Sequence, residues 1–195
     1  METTDIIQFF DKCAKSWDDE MVRSDRIIGE ILDRGGVTEG KDVLDVACGT
    51  GVLFPDYLGR NVASVTGVDI SSEMAKIAES KFADEKKVQV ICSDVCDLHF
   101  DKKYDCIMIY NAFPHFPEPE NLFTYLSTCL KDGGRITVAH GMSRERIDAH
   151  HRYHHASKVS LGLMHEEQLV ELMGKWFVVD TVISDNEKYI VSGVK

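Results

Sequence analysis

The apolar run Val43-Leu44-Asp45-Val46-Ala47-Cys48-Gly49-Thr50-Gly51 ends in a glycine loop, and eighteen residues later Asp69 closes a second run, Val65-Thr66-Gly67-Val68-Asp69. Glycines at the end of a strand let the backbone approach a ligand closely, and an acid at the next strand tip lies where a ribose diol would sit. The pair therefore describes a nucleotide-type cofactor site. A dinucleotide fingerprint would read G-x-G-x-x-G and seat a pyrophosphate on a helix N-terminus. Here Phe54 holds the third glycine position, and Asp45 precedes the first glycine by four residues.

That Asp-x-x-x-Gly-x-Gly arrangement resembles the first motif of class I S-adenosylmethionine-dependent methyltransferases. The resemblance implies S-adenosylmethionine as cofactor. Its methionine part would face Asp45 and the backbone of Ala47, Cys48, Gly49, Thr50 and Gly51, with a charge-assisted hydrogen bond explaining an acid inside an apolar strand. Asp69 would accept from the ribose hydroxyls, its alternative being a helix N-cap, a role that Ser71 fills better; Ile70 and Met74 would pack on the adenine. The segment Cys92-Ser93-Asp94-Val95-Cys96-Asp97-Leu98 looks like the family's adenine motif, which assigns Asp94 and Val95 to the base, unless Asp94 only caps a turn. Asn111, at the end of the fourth strand, would face the sulfonium. The run from Phe9 to Asp18 looks like the aromatic N-terminal segment that small-molecule members fold over their cofactor, with Phe9 and Trp17 as contacts; the plainer alternative is an amphipathic face packed on the sheet.

Strand and helix signals alternate, which implies a parallel sheet covered on both faces. Strands are expected at 42–47, 64–69, 88–92, 104–110, 134–139, 176–183 and 187–194, and helices at about 4–16, 19–34, 51–59, 72–83, 119–130 and 144–158. The short polar connection Ser184-Asp185-Asn186-Glu187 suits a hairpin. The expected fold is thus a Rossmann-like three-layer α/β sandwich, with a seven-stranded, mostly parallel sheet ending in an antiparallel hairpin. No linker or low-complexity tract divides the 195 residues, so a single domain is expected, with 1–35 as a helical lid and 140–165 as a His-rich cap.

A net charge of −11 opposes binding to a phosphate backbone and favours a small-molecule acceptor over nucleic acid. Without a basic-apolar leader or a run near 20 apolar residues, a cytoplasmic protein with no membrane span is expected. Oligomeric state is left open. The six cysteines form no C-x-x-C pair and read as buried thiols.

Two histidine features are candidates for acceptor chemistry. His115, in Asn111-Ala112-Phe113-Pro114-His115, has the right chemistry for a general base or an acceptor contact, or is a hydrogen-bonded loop residue. Residues 140–165 hold six of the eight histidines. On a helix His150, His151, His154 and His155 share one side, and pairs four apart can converge on a divalent transition metal. The competing readings are a solvated polar face and direct acceptor contacts through His140, His151 and His154.

Overall fold

The computed structural model describes residues 1–153 and 159–195, with backbone alone at 148 and 150–153. The chain runs α1 (Thr3–Cys13), a 3-10 turn (Ala14–Ser16), α2 (Trp17–Glu20), α3 (Asp25–Arg34), β1 (Asp42–Val46), α4 (Phe54–Gly59), β2 (Ser64–Asp69), α5 (Ser72–Lys81) and β3 (Val88–Cys92). It continues through β4 (Tyr104–Tyr110), α6 (Pro119–Cys129), β5 (Leu130–His140), α7 (Arg144–Tyr153), α8 (Glu166–Met173), β6 (Val178–Ser184) and β7 (Tyr189–Val194).

The strands form one seven-stranded sheet in the order β3-β2-β1-β4-β5-β7-β6. All neighbours are parallel except β7, which runs antiparallel to both β5 and β6. Strand order therefore reverses between β1 and β4, which puts a topological switch point at their carboxyl ends, where open α/β sheets take their ligands.

Successive strand residues face opposite layers. Leu44, Val46, Ile107 and Ile109 pack in one core with Leu122, Phe123 and Leu126 of α6 and Leu169 and Met173 of α8. Val43, Val65, Cys106 and Met108 pack in the other with Ile27, Ile28, Ile31 and Leu32 of α3 and with Phe54 and Tyr57 of α4. Burial on both faces explains why these strands read as continuous apolar runs. Asp45 shares the α3/α4 side with Val43, so its carboxylate has an apolar layer around it.

Several elements differ from the sequence-based expectation. The helix expected over 19–34 is interrupted: Met21 is extended (φ −72°, ψ 126°) and α3 begins only at Asp25. The break follows from Arg23, whose guanidinium donates to Asp25, to the Val52 carbonyl and to both oxygens of Asp56. As a result α3 belongs to the core, while 1–20 lies over the carboxyl edge of the sheet. β5 starts at Leu130 instead of 134, carrying Gly133 (φ +74°) within it and shifting register against β4 between Tyr104 and Cys106. Cys48, Cys106 and Cys129 are buried as expected, whereas Cys92 and Cys96 are exposed because they lie at the exit of an edge strand. Among the described residues no helix is long and apolar enough to cross a membrane.

Candidate functional site

The loop after β1 is shaped by three residues of positive φ: Ala47 (58°), Gly49 (56°) and Gly51 (79°). Ala47 adopts a conformation that a residue with a Cβ enters at a cost. The loop is tied to the neighbouring strand end, since the Cys48 N–H donates to the Val68 carbonyl (3.0 Å) and the Gly49 N–H to Asp69 Oδ2 (2.8 Å). Asp69 Oδ1 accepts from the Ser71 N–H (2.9 Å). Asp69 thus staples two loops together and, with two lone pairs on each oxygen, keeps acceptor capacity beyond these bonds. Burial raises its pKa, the two N–H groups counter that, and Asp11 adds to the rise.

The glycines divide their work. A Cβ at Gly51 would come within 2.8 Å of Phe54, and one at Gly67 within 2.4 Å of the same ring. Phe54, which occupies the third fingerprint position, therefore fills the space beneath the loop. At Gly49 a Cβ would meet only Trp17 Nε1, at 3.9 Å. Gly49 is the position whose missing side chain opens toward Trp17 of the N-terminal segment.

Asp45 is 2 % exposed. Burial pushes its carboxyl up to about 8; the Tyr57 hydroxyl pulls it down and Asp69 pushes it further up. That hydroxyl, close enough to influence Asp45, reaches no partner at hydrogen-bonding geometry among the described residues. A buried acid without a cation, with a buried phenol as its polar neighbour, thus stands at the exit of β1. Such a combination marks a ligand site more often than a structural core.

The N-terminal segment covers this opening. Asp11 Oδ1 accepts from the Ser71 hydroxyl (2.6 Å) and the Glu73 N–H (3.1 Å). Asp18 accepts from the Thr50 hydroxyl (2.5 Å) and from Lys81 Nζ (2.7 Å). Phe10 stands edge-on to Phe9, Trp17 and His115, with ring centroids 5.3, 5.7 and 4.9 Å away.

His115 closes the β4 side. Its Nδ1 lies 2.6 Å from the Val159 carbonyl, which can only accept, so Nδ1 donates that proton. Asn111 sits at φ 54° and accepts from the Gly141 N–H through Oδ1 (3.0 Å). Asp94 caps the next 3-10 turn through the Cys96 N–H (2.9 Å), Val95 and Met74 are buried, and Ile70 is half-buried beside Asp69. His140 is buried at the end of β5, edge-on to Tyr189.

His154 and His155 lie outside the described residues, as do the side chains of His150 and His151. Among the described residues His165, Glu166 and Glu167 bring three ligand atoms within 4.8 Å of one another. They occupy the first turn of α8, where the helix dipole itself favours carboxylates and opposes a cation. A groove of about 630 Å³ between α6 and α8, lined by Glu118, Glu120, Met164 and Glu171, is separate from the glycine loop. Sequence reasoning missed Tyr57, Asp11, Asp18 and Lys81. The two aspartates were visible seven residues apart in the quoted aromatic run, but their partners Ser71, Thr50 and Lys81 are distant in sequence.

Residues 43–134 match the family model described as a methyltransferase domain. The ubiquinone biosynthesis O-methyltransferase of Klebsiella pneumoniae (strain 342) is 32 % identical over 113 residues, covering 56 % of this chain and 46 % of that protein. The chain thus spans about half the length of the curated relatives it matches. Among solved structures, the complex between the Haloferax volcanii Trm112 methyltransferase activator and a methyltransferase contains a chain that superposes with a TM-score of 0.78 at 19 % identity, covering 99 % of this chain and 97 % of that one. Magnesium protoporphyrin IX methyltransferase from Synechocystis, with bound S-adenosylmethionine, gives 0.70 at 16 % identity over 98 % and 96 %. At such identities these structures show the fold. The motif, the domain match over residues 43–134 and the seven-stranded topology agree in supporting a class I S-adenosylmethionine-dependent methyltransferase.

Proposed function

We propose that this protein binds S-adenosylmethionine across the carboxyl ends of β1, β2 and β3 and methylates a small-molecule acceptor. The observation that carries the reading is the buried Asp45, with its raised pKa and no cation beside it. A cationic ammonium at the exit of β1 supplies the charge that Asp45 lacks, and an amino-acid tail has one where a pyrophosphate does not.

In this reading Asp69 holds the ribose hydroxyls with the acceptor capacity left after Gly49 and Ser71. Ile70, Met74, Asp94 and Val95 surround the adenine. Ala47, Cys48, Gly49, Thr50, Gly51 and Asn111 line the methionine part, and Phe9 and Trp17 cover it from the lid. When bound, the cofactor supplies an electrophilic methyl group on a sulfonium. The chain's task is to hold the acceptor in line with that methyl and to exclude water, and orientation alone can contribute about 7 kcal/mol or more to such a step.

In this reading His115, held by the Val159 carbonyl through Nδ1, contacts the acceptor and is the candidate general base. His140, His151 and His154 are proposed as acceptor contacts. Support for a small acceptor comes from the acidic chain and from the ubiquinone-pathway O-methyltransferases among its relatives. The accepting atom is not assigned.

Calorimetry with S-adenosylhomocysteine tests the reading. The native protein should bind with micromolar affinity or better, and Asp69→Ala should weaken binding by about a hundredfold, as expected for losing hydrogen bonds to a charged group. Absence of heat with folded native protein would overturn it.

A further inference from the structure

Among the described residues, the polar side-chain attachments of residues 1–20 to the rest of the chain reach the two lips of the cofactor pocket and the far end of α5. Asp11 bridges to the α5 lip through the Ser71 hydroxyl and the Glu73 N–H. Asp18 bridges to the glycine loop through the Thr50 hydroxyl and to the far end of α5 through Lys81. Ser71 itself donates its N–H to Asp69, and Thr50 follows the Gly49 whose N–H Asp69 accepts. Each aspartate is thus one residue removed from the groups that would grip the cofactor.

Between the attachments lie contacts of a different kind. Phe10 and Trp17 form an edge-on aromatic pair, and Ile6, Phe9 and Phe10 pack with Val159. Apolar contacts of this sort are non-directional, whereas hydrogen bonds to a carboxylate fix position and orientation. On the far side, Met21 is extended, Val22 is 79 % exposed, and Arg23 anchors the chain to the Val52 carbonyl and Asp56. The segment therefore has a fixed base at Arg23, an extended joint at 21–22 and two pinned points beyond it. α1 spans eleven residues and α2 four, lengths at which an isolated helix is marginal in water. Released from its pins, the segment would lose helix as well as position.

We propose that Asp11 and Asp18 form a two-point latch that holds residues 1–20 closed over the pocket and so sets the rate at which cofactor and product cross its mouth. The proposal rests on the cofactor reading above. Closure also brings Asp11 near Asp69, whose pKa it raises. The hydroxyl and N–H that Asp11 accepts from offset that repulsion, so the latch is balanced instead of permanent.

Hydrogen exchange on the ligand-free protein separates this claim from the cofactor reading. In Asp11→Ala/Asp18→Ala the amides of residues 3–20 should exchange about tenfold faster while the sheet stays protected, and Lys81→Met should give a smaller acceleration, since its pair with Asp18 is partly exposed. Asp19→Ala, an exposed change on the same helix, should give none. In a Trp176→Phe background, Trp17 fluorescence in stopped flow should report S-adenosylhomocysteine leaving about tenfold faster from the double variant.

Unchanged exchange in the double variant overturns the latch. Faster exchange with an unchanged dissociation rate overturns the gating role. If native protein binds no S-adenosylhomocysteine, the cofactor reading and the gate built on it both fall, and exchange still decides whether the aspartates pin the segment.

Discussion

Asp42 and Asp45 stand three residues apart on β1, yet their surroundings are opposites. At the entrance of the strand, Asp42 accepts from the Ser64 hydroxyl (2.6 Å), Lys102 (3.0 Å) and Lys131 (3.1 Å), and these bonds, with Ser64 foremost, hold its carboxyl down at about 2. Lys131 also bridges to Asp105, so the amino ends of β1 and β4 carry a closed network of ion pairs. At the exit, burial lifts Asp45 to about 8, and no cation faces it among the groups that shift its pKa. One end of the strand has its charges satisfied by the chain, and the other leaves an acid waiting for a partner. The difference sets Asp45 apart from Asp42 as the candidate for ligand binding, without reference to any relative.

The comparison can be broken at either end. The largest expected effect is on Asp45→Asn, which should weaken S-adenosylhomocysteine binding roughly 10- to 100-fold by removing the charge that pairs with the ammonium. The same variant should flatten the pH dependence of stability. The folded pKa of Asp45 lies above its unfolded value of 3.8, so the folded state holds the extra proton, and stability present below about pH 4 is lost as pH rises toward 8. Denaturant melts at pH 5 and pH 8 would show the native protein losing more than Asp45→Asn between them; an equal loss would contradict the assignment.

A subtler consequence concerns protons. Binding an ammonium beside Asp45 should drive its proton off, so that at pH 7 cofactor binding releases close to about one proton, falling away above pH 8. Calorimetry in buffers of different ionisation enthalpy measures this directly. A release near zero at pH 7 would place the ammonium elsewhere.

The smallest effect belongs to Asp42→Asn. It should cost about 1 kcal/mol at neutral pH, after allowing for its partly exposed lysine partners, and leave cofactor affinity within about twofold, since no ligand group reaches that end. Its folded pKa is depressed, so the stability it contributes is present above about pH 4 and lost as pH falls toward 2. A substantial loss of cofactor affinity in Asp42→Asn would erase the contrast between the two ends.

Much of the sheet was legible beforehand because its strands are buried on both faces and so read as apolar runs with glycine turns between them. β2, β3 and β4 fall where periodicity puts them, and the short polar turn after Ser184 correctly signals the hairpin. The misses share a cause. The helix expected over 19–34 breaks at 21–24 because Arg23 finds acceptors at Val52 and Asp56, and no local propensity encodes a bond across that distance. β5 runs through Gly133-Gly134 because Lys195, just past β7, exchanges backbone hydrogen bonds with the two glycines, while Gly133 keeps its positive φ.

At the pocket the division is similar. Sequence alone determined the strands, their glycine loop and the acids at the tips of β1 and β2, because chain spacing and side-chain chemistry fix these locally. Only the tertiary structure decided that Phe54 fills the space below Gly51 and Gly67, that Tyr57 joins Asp45, and that Asp11 and Asp18 reach Ser71, Thr50 and Lys81. Those are contacts between layers, set by how helices pack on a sheet already formed, and residues distant along the chain become neighbours only when the core closes.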